Sequence, residues 1–325
     1  MMISRGPDRA WRAGGRPRTA AAAGLVCVAL FAAGCSSSGS SSTTSSPGTT
    51  SAPAAASTSA SASPTGSGPV DVLYAGSLVN LMQKQVGPAF QQATGYTVTG
   101  FSAGSKDLAA EIKGKVHQGD VFISASPKVN ATLEGAANGD WVSWYATYAT
   151  SALVIGYNPN SKFASDLKSK PWYKVITEPG IKIGFTDPAT DPKGVLAVQA
   201  MTETASKMNL PALKTLSADK SDIFPEETLV GRLQAGQLDA GFFYTAEAVA
   251  ASIPTVPLTG VALKATYTVT ILNKAPHEAA AEAFVSYLLG SSGQAVLKQD
   301  GFDLVTPPKV TGAGVPSSLQ STFSQ

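Results

Sequence analysis

From Ser36 to Gly68 the chain uses only five residue types: Ser, Thr, Ala, Gly and Pro. No side chain in that run is large and apolar, so it cannot bury enough surface to offset the entropy lost on ordering. The run therefore divides the 325 residues into a short N-terminal piece and a body that starts near Pro69. A Gly/Ser-type coil of this length spans about 30 Å root-mean-square, which makes residues 36–68 a leash. The body from Pro69 onward is long enough to bury a sizeable core, as one large or two smaller domains.

Residues 1–35 carry five arginines and one acid, Asp8, ahead of an apolar stretch from Ala20 to Ala33. A basic end followed by an apolar segment too short to span a bilayer is the layout of an export signal. Phe31-Ala-Ala-Gly-Cys35 resembles a bacterial lipobox, in which the cysteine is lipidated and becomes the first residue. Cys35 is therefore expected to tether the body to a membrane; the alternative is an ordinary cleaved signal. Beyond residue 35 there remain 19 basic and 21 acidic residues, a near-neutral body that argues against nucleic acid as the partner. Both cysteines, Cys27 and Cys35, lie in the N-terminal piece, which leaves the body without a disulfide or a cysteine-based metal site.

The body reads as strand, turn and helix in repetition. Residues 70–74 form a short apolar strand, Ala75-Gly-Ser77 a turn, and Leu78, Leu81, Met82, Val86 and Phe90 recur at helical spacing. A strand at 96–100 leads through Ser102-Ala-Gly-Ser105 to a helix on Leu108, Ile112 and Val116, and a third strand occupies 121–123. Three such units in sequence predict a parallel sheet with helices on its faces. The pattern resumes with a strand at 181–185, a helix after Gly194, a short helix at 226–234 and a strand at 239–244. Residues 278–298 read as one helix. The apolar strands 151–157 and 265–272 suit crossings between two lobes, placed at 69–148 plus 262–325 and at 149–261.

In open α/β sheets, ligands bind at the carboxyl ends of strands, where helix N-termini present unpaired N–H groups. Ser77 and Ser105 occupy two such junctions, each as Ala-Gly-Ser before a helix. The glycine lets backbone approach closely, the hydroxyl can donate, and the positive helix end favours an anion. Either serine alone reads equally as a helix N-cap. Tyr244, at the end of a strand, reads as a cleft residue or as a core tyrosine.

The chain resembles the solute-binding lipoproteins of molybdate/tungstate ABC transporters, in particular the tungstate-selective branch best known from archaea. The matching pieces run in family order from about residue 70 to 305. They include Ala75-Gly-Ser-Leu78, Ala103-Gly-Ser105, Gly119-Asp-Val-Phe-Ile-Ser-Ala-Ser126, the Trp172 to Pro188 segment, Asp191-Pro-Lys-Gly194, Pro225-Glu-Glu-Thr228 and Gln234-Ala-Gly-Gln-Leu-Asp239. The resemblance implies an α/β, type II periplasmic-binding-protein-like fold with a cleft between two lobes. It implies a protein that captures molybdate or tungstate outside the cytoplasm and passes it to an ABC permease. Ser77 and Ser105 match the hydroxyl positions. Asp191 matches the aspartate that approaches the metal of the oxyanion, with Asp187 as the alternative. Glu226 matches the glutamate, with Glu227 as the alternative. Where the family commonly has Asp-Pro-Cys-Gly-Tyr-Arg, this chain has Lys193, Val195 and Leu196.

Enzyme readings lack their parts. His117 and His277 are the only histidines, with no HExxH spacing and no Gly-x-Ser-x-Gly partner. The expectation is a lipid-anchored extracytoplasmic monomer, not an enzyme, with no cofactor and with the oxyanion as ligand. The alternatives are a binder of sulfate or thiosulfate, or a secreted polysaccharide hydrolase using Asp191 and Glu226 as its carboxylate pair.

Overall fold

The computed structural model describes residues 66–324. The export segment with Cys35, and the leash up to residue 65, lie outside the described residues.

Strand β1 (Pro69–Ala75) lies between β2 (Thr97–Ala103) and β3 (Val121–Ser124) and runs parallel to both. Three parallel strands end on one edge. The register sets Ala75 beside Ala103, so the turns carrying Ser77 and Ser105 leave the sheet side by side. On the other flank of β3, β8 (Lys264–Ile271) pairs antiparallel, and β4 (Trp144–Tyr157) pairs antiparallel with β8.

Strand β4 joins the lobes. Its fourteen residues extend about 46 Å. Residues 146–152 pair with β8, and residues 144–150 pair with the edge strand β9 (Asp303–Gly312). Past residue 152 the same strand pairs antiparallel with β6 (Ala240–Tyr244) and β7 (Thr255–Pro257). A short β5 (Ile183–Gly184) lies parallel to β6, with Gly184 beside Gly241. The second lobe thus repeats the logic of the first, with the residues after β5 and after β6 emerging on one edge.

Edge-on aromatic contacts anchor each lobe within one hydrophobic cluster that spans both. In the first, Phe284 from helix Glu278–Leu289 meets Phe90 edge-on at 5.3 Å. In the second, Trp172 and Phe185 meet Phe242 edge-on at 6.0 and 6.5 Å. Asp120, fully buried ahead of β3, ties three segments together. It accepts the backbone N–H of Asp71 at 2.7 Å and of His277 at 2.6 Å, and its carboxylate lies 2.9 Å from His277 Nδ1.

Several elements depart from the sequence reading. Strand β8 stays within the first sheet, because β3 and β4 occupy its two edges; only β4 crosses. The helix through Leu108 and Ile112 stops at Lys113, where Gly114 caps it and Lys115 turns to a positive φ of 56°, leaving Val116 exposed. The 278–298 helix breaks at Gly290, whose extended ψ ends Glu278–Leu289 and starts Ser291–Gln299. Strand β9 carries Pro307 and Pro308, which hide its character in sequence and suit an edge.

Two outcomes follow for stability. Phe284→Ala should cost about 3–5 kcal/mol, the range for emptying a buried phenylalanine site, read as a fall in chemical-denaturation midpoint. The hydrogen bond to Asp120, helped by the charge of Asp120 and Asp71, raises the pKa of His277 above its ordinary value. A raised folded-state value means that the contribution of His277 is fully present below about pH 6.5 and is lost as pH climbs through the raised value. Wild type should therefore melt above His277→Ala at about pH 5.5, and this difference should shrink by about pH 8.5.

Candidate functional site

Ser77 and Ser105 follow β1 and β2, Tyr244 ends β6, and Asp191 and Glu226 stand at the starts of helices in the second lobe. Ser77, just after β1, is buried with Oγ 2.9 Å from the hydroxyl of Tyr267 on β8. Ser105 opens helix Ser105–Lys113 and is fully buried, its Oγ accepting the Ala125 N–H at 3.1 Å. Neither serine caps its helix, since no side-chain cap bond forms at either start. A hydroxyl that accepts one bond keeps its own proton to donate.

Asp191 is the N-cap of helix Pro192–Met208, accepting the Lys193 N–H at 2.5 Å and the Thr186 hydroxyl at 3.2 Å. The motif Asp-Pro-x-Gly acquires a physical reason here. A Cβ on Gly194 would lie 2.2 Å from the Thr186 carbonyl oxygen, so only glycine lets this helix start lie against the loop after β5. Glu226 is the first residue of helix Glu226–Gln234, behind Pro225 as N-cap, and is buried. Asp191 and Glu226 share the wall of a cavity of about 220 Å³ with Gly104, Asp107, Thr186 and Pro225. Asp187 and Glu227 line the same cavity, but Glu227 is exposed and the Asp187 carboxylate caps its own turn through the Ala189 N–H. Ser77, Ser105 and Tyr244 are buried and do not line this cavity.

The two lobes meet at the two Ala-Gly-Ser turns. A Cβ on Gly76 would fall 2.1 Å from Glu226 Cγ, and one on Gly104 would fall 2.6 Å from the Thr190 carbonyl oxygen and 3.3 Å from Asp191 Cβ. Lys106 bridges the same gap, its N–H donating to Thr190 O at 3.0 Å and its Nζ to Pro188 O at 2.8 Å. The glycines are what let backbone on one lobe reach the acid-bearing elements of the other.

Two further side chains join the site: Lys193, whose direction the sequence left open, and Glu247, which was not anticipated. Lys193 is fully buried, with Nζ 2.8 and 2.7 Å from the oxygens of Glu247 and 3.0 Å from Glu226 Oε1. Glu247, three residues past Tyr244, is buried in the first turn of helix Thr245–Ala250 and also accepts the Tyr244 N–H. Its position after β6 was the available signal. Tyr244 is buried edge-on to Tyr267 at 6.1 Å. Among the described residues, Tyr244 Oη and Glu226 Oε2 are buried with no hydrogen-bond partner.

Burial pushes the Glu226 carboxyl well above the usual carboxylate range, and the negative Asp191 adds to it. Burial also raises Glu247, against the pull of Lys193. Burial by itself would lower Lys193, but Glu226, Glu247 and Asp191 outweigh it and hold the ammonium above its ordinary value. Lys193 is thus held as an ammonium between Glu247 and Glu226. Burial raises the phenols of Tyr244 and Tyr267, which keeps both as neutral donors.

Gly76→Ala tests the inter-lobe contact. The added methyl meets the stem of Glu226 in the other lobe, so it should hold the lobes apart with both cores intact. Small-angle scattering should show a larger radius of gyration, while far-UV circular dichroism stays unchanged.

Chains of known kind share this architecture. A putative ABC transporter molybdenum-binding protein of Haloferax volcanii is 29% identical over 222 residues, 68% of this chain and 66% of that protein. A molybdate/tungstate-binding protein of Thermococcus kodakarensis is 26% identical over 233 residues, 56% of this chain and 66% of that protein. The chain thus spans just under two thirds of the length of each of these relatives. Among solved structures, the periplasmic molybdate-binding protein of Azotobacter vinelandii superposes with a TM-score of 0.57 at 24% identity, covering 73% of this chain and 99% of that one, a likeness of fold. Residues 70–303 match the bacterial extracellular solute-binding protein family, a span that takes in every site residue described above, and the chain belongs to that family.

Proposed function

We propose that this protein captures molybdate or tungstate outside the cytoplasm and delivers it to an ABC permease. The observation that carries the reading is the meeting of the two serine turns of one lobe with Glu226 and Asp191 of the other. The names of the archaeal relatives, one molybdenum-binding and one molybdate/tungstate-binding, support the same ligand class. In this reading Ser77 and Ser105 donate hydroxyl protons to the oxyanion, and Tyr244 supplies a further neutral donor. Asp191 and Glu226 approach the central metal of the bound anion. A high-valent molybdenum or tungsten is a hard acid with coordination positions open to oxygen donors. Sulfur at the centre of sulfate offers none, so the same carboxylates would repel it.

Capture proceeds by hinge closure. Lobe 1, residues 69–148 with 262–325, presents the serines; lobe 2, residues 149–261, brings the acids. Either lobe alone leaves the anion partly hydrated, so ligand favours the closed arrangement. A monomer tethered by lipid at Cys35, with residues 36–68 as the leash, keeps the binding body near its permease.

Isothermal titration of the anion-free protein with tungstate, molybdate, sulfate and phosphate tests the reading. Tight one-to-one binding of tungstate or molybdate, with sulfate and phosphate silent, is expected; the reverse order discards the carboxylates as ligands. Ser105→Ala should weaken every bound oxyanion by roughly 10- to 100-fold, the value of one hydrogen bond to a charged group. Glu226→Gln should weaken tungstate more than any anion without an open coordination position. Equal losses across all anions would remove carboxylate–metal contact from the account.

A further inference from the structure

Lys193 has more partners than its burial requires. Glu247 alone, with both oxygens within 2.8 Å of the ammonium, would neutralise it. The ammonium also lies over the faces of Phe243 and Tyr244, 5.3 and 5.8 Å from the ring centroids. Yet the ammonium takes a second carboxylate from a separate element, Glu226, and contacts only its Oε1. Glu226 Oε2 is buried and has no hydrogen-bond partner among the described residues, on a side chain that lines the inter-lobe cavity beside Asp191. A buried carboxylate oxygen left unmatched is costly, and needs an explanation where it occurs.

Stability does not supply one. Burying an ion pair is often no better than burying apolar side chains of the same volume, and position 193 lies among the aromatic rings of the second lobe. What Lys193 does that an apolar residue could not is hold one oxygen of Glu226, a residue of the cavity lining, while the other oxygen is left unmatched.

We propose that Lys193 is a positioning residue of the oxyanion site: it pins Glu226 through Oε1 so that Oε2 is presented to the bound anion. The proposal rests on the oxyanion reading above and goes beyond it, because it makes the orientation of Glu226 depend on a residue that never touches the ligand.

The test is a set of calorimetric titrations of the purified protein with sodium tungstate, each variant accompanied by a ligand-free melting curve. Lys193→Met should weaken tungstate by roughly 100-fold, within the range for removing one partner of a buried charge pair at a binding site. Lys193→Met/Glu247→Gln removes the ammonium together with the carboxylate it covers, so local charge matches wild type and the fold is spared; its affinity should remain as low. This double variant carries the test if the single variant does not fold. In a Glu226→Gln background, Lys193→Met should cost less than about threefold more, the non-additivity expected when one residue acts through another.

Wild-type affinity in Lys193→Met/Glu247→Gln would reduce Lys193 to a counter-ion for Glu247 and overturn the proposal. Full additivity with Glu226→Gln would overturn it as well. Wild-type protein silent toward both tungstate and molybdate would overturn the oxyanion reading itself, and the proposal with it.

Discussion

Parallel pairing of β1 with β2, in the register that sets Ala75 beside Ala103, is the constraint on which the site depends. It aligns two Ala-Gly-Ser turns on one edge of the first sheet. Each turn then offers a glycine flat enough for the other lobe to approach, at Glu226 and at Thr190–Asp191. A slip of one residue would exchange the faces of every side chain in the strand and separate the two turns. Strand β4 completes the arrangement, because one continuous strand hydrogen-bonded into both sheets sets where the second lobe stands.

Charge at the site is organised by a single ammonium. Asp191, Glu226 and Glu247 are three buried acids in one region, and Lys193 is the buried base that joins two of them. Burial pushes the Glu226 carboxyl well above the usual carboxylate range, while the surrounding acids hold the Lys193 ammonium above its ordinary value. The second lobe therefore presents one capped aspartate and one buried glutamate to the cavity.

Sequence periodicity was sufficient for the strands that are buried on both faces and flanked by glycine turns. Strands β1, β3 and β6 and the helix Glu226–Gln234 lie close to where their apolar runs and turn residues predicted them. It failed where backbone context overrode pattern. Gly290 breaks a helix whose apolar spacing continues across it, and Pro307 and Pro308 conceal an edge strand. At the candidate site, Ser77 and Ser105 were singled out by their turns after strands, whereas Asp191 and Glu226 were singled out only through the family resemblance. Glu247 followed a strand end too, but it carried no motif and read as an ordinary acid in the first turn of a helix.

The sequence by itself determined the near-neutral body and the α/β alternation, because these depend on composition and local periodicity. Only the tertiary structure decided that the two serines are engaged by Tyr267 and Ala125 and do not cap helices. It alone decided that Lys193 turns inward onto Glu247 and Glu226. These outcomes join residues up to 190 positions apart, and which partner a buried polar group finds is set by how the sheets and lobes pack, a long-range property that no local spacing encodes.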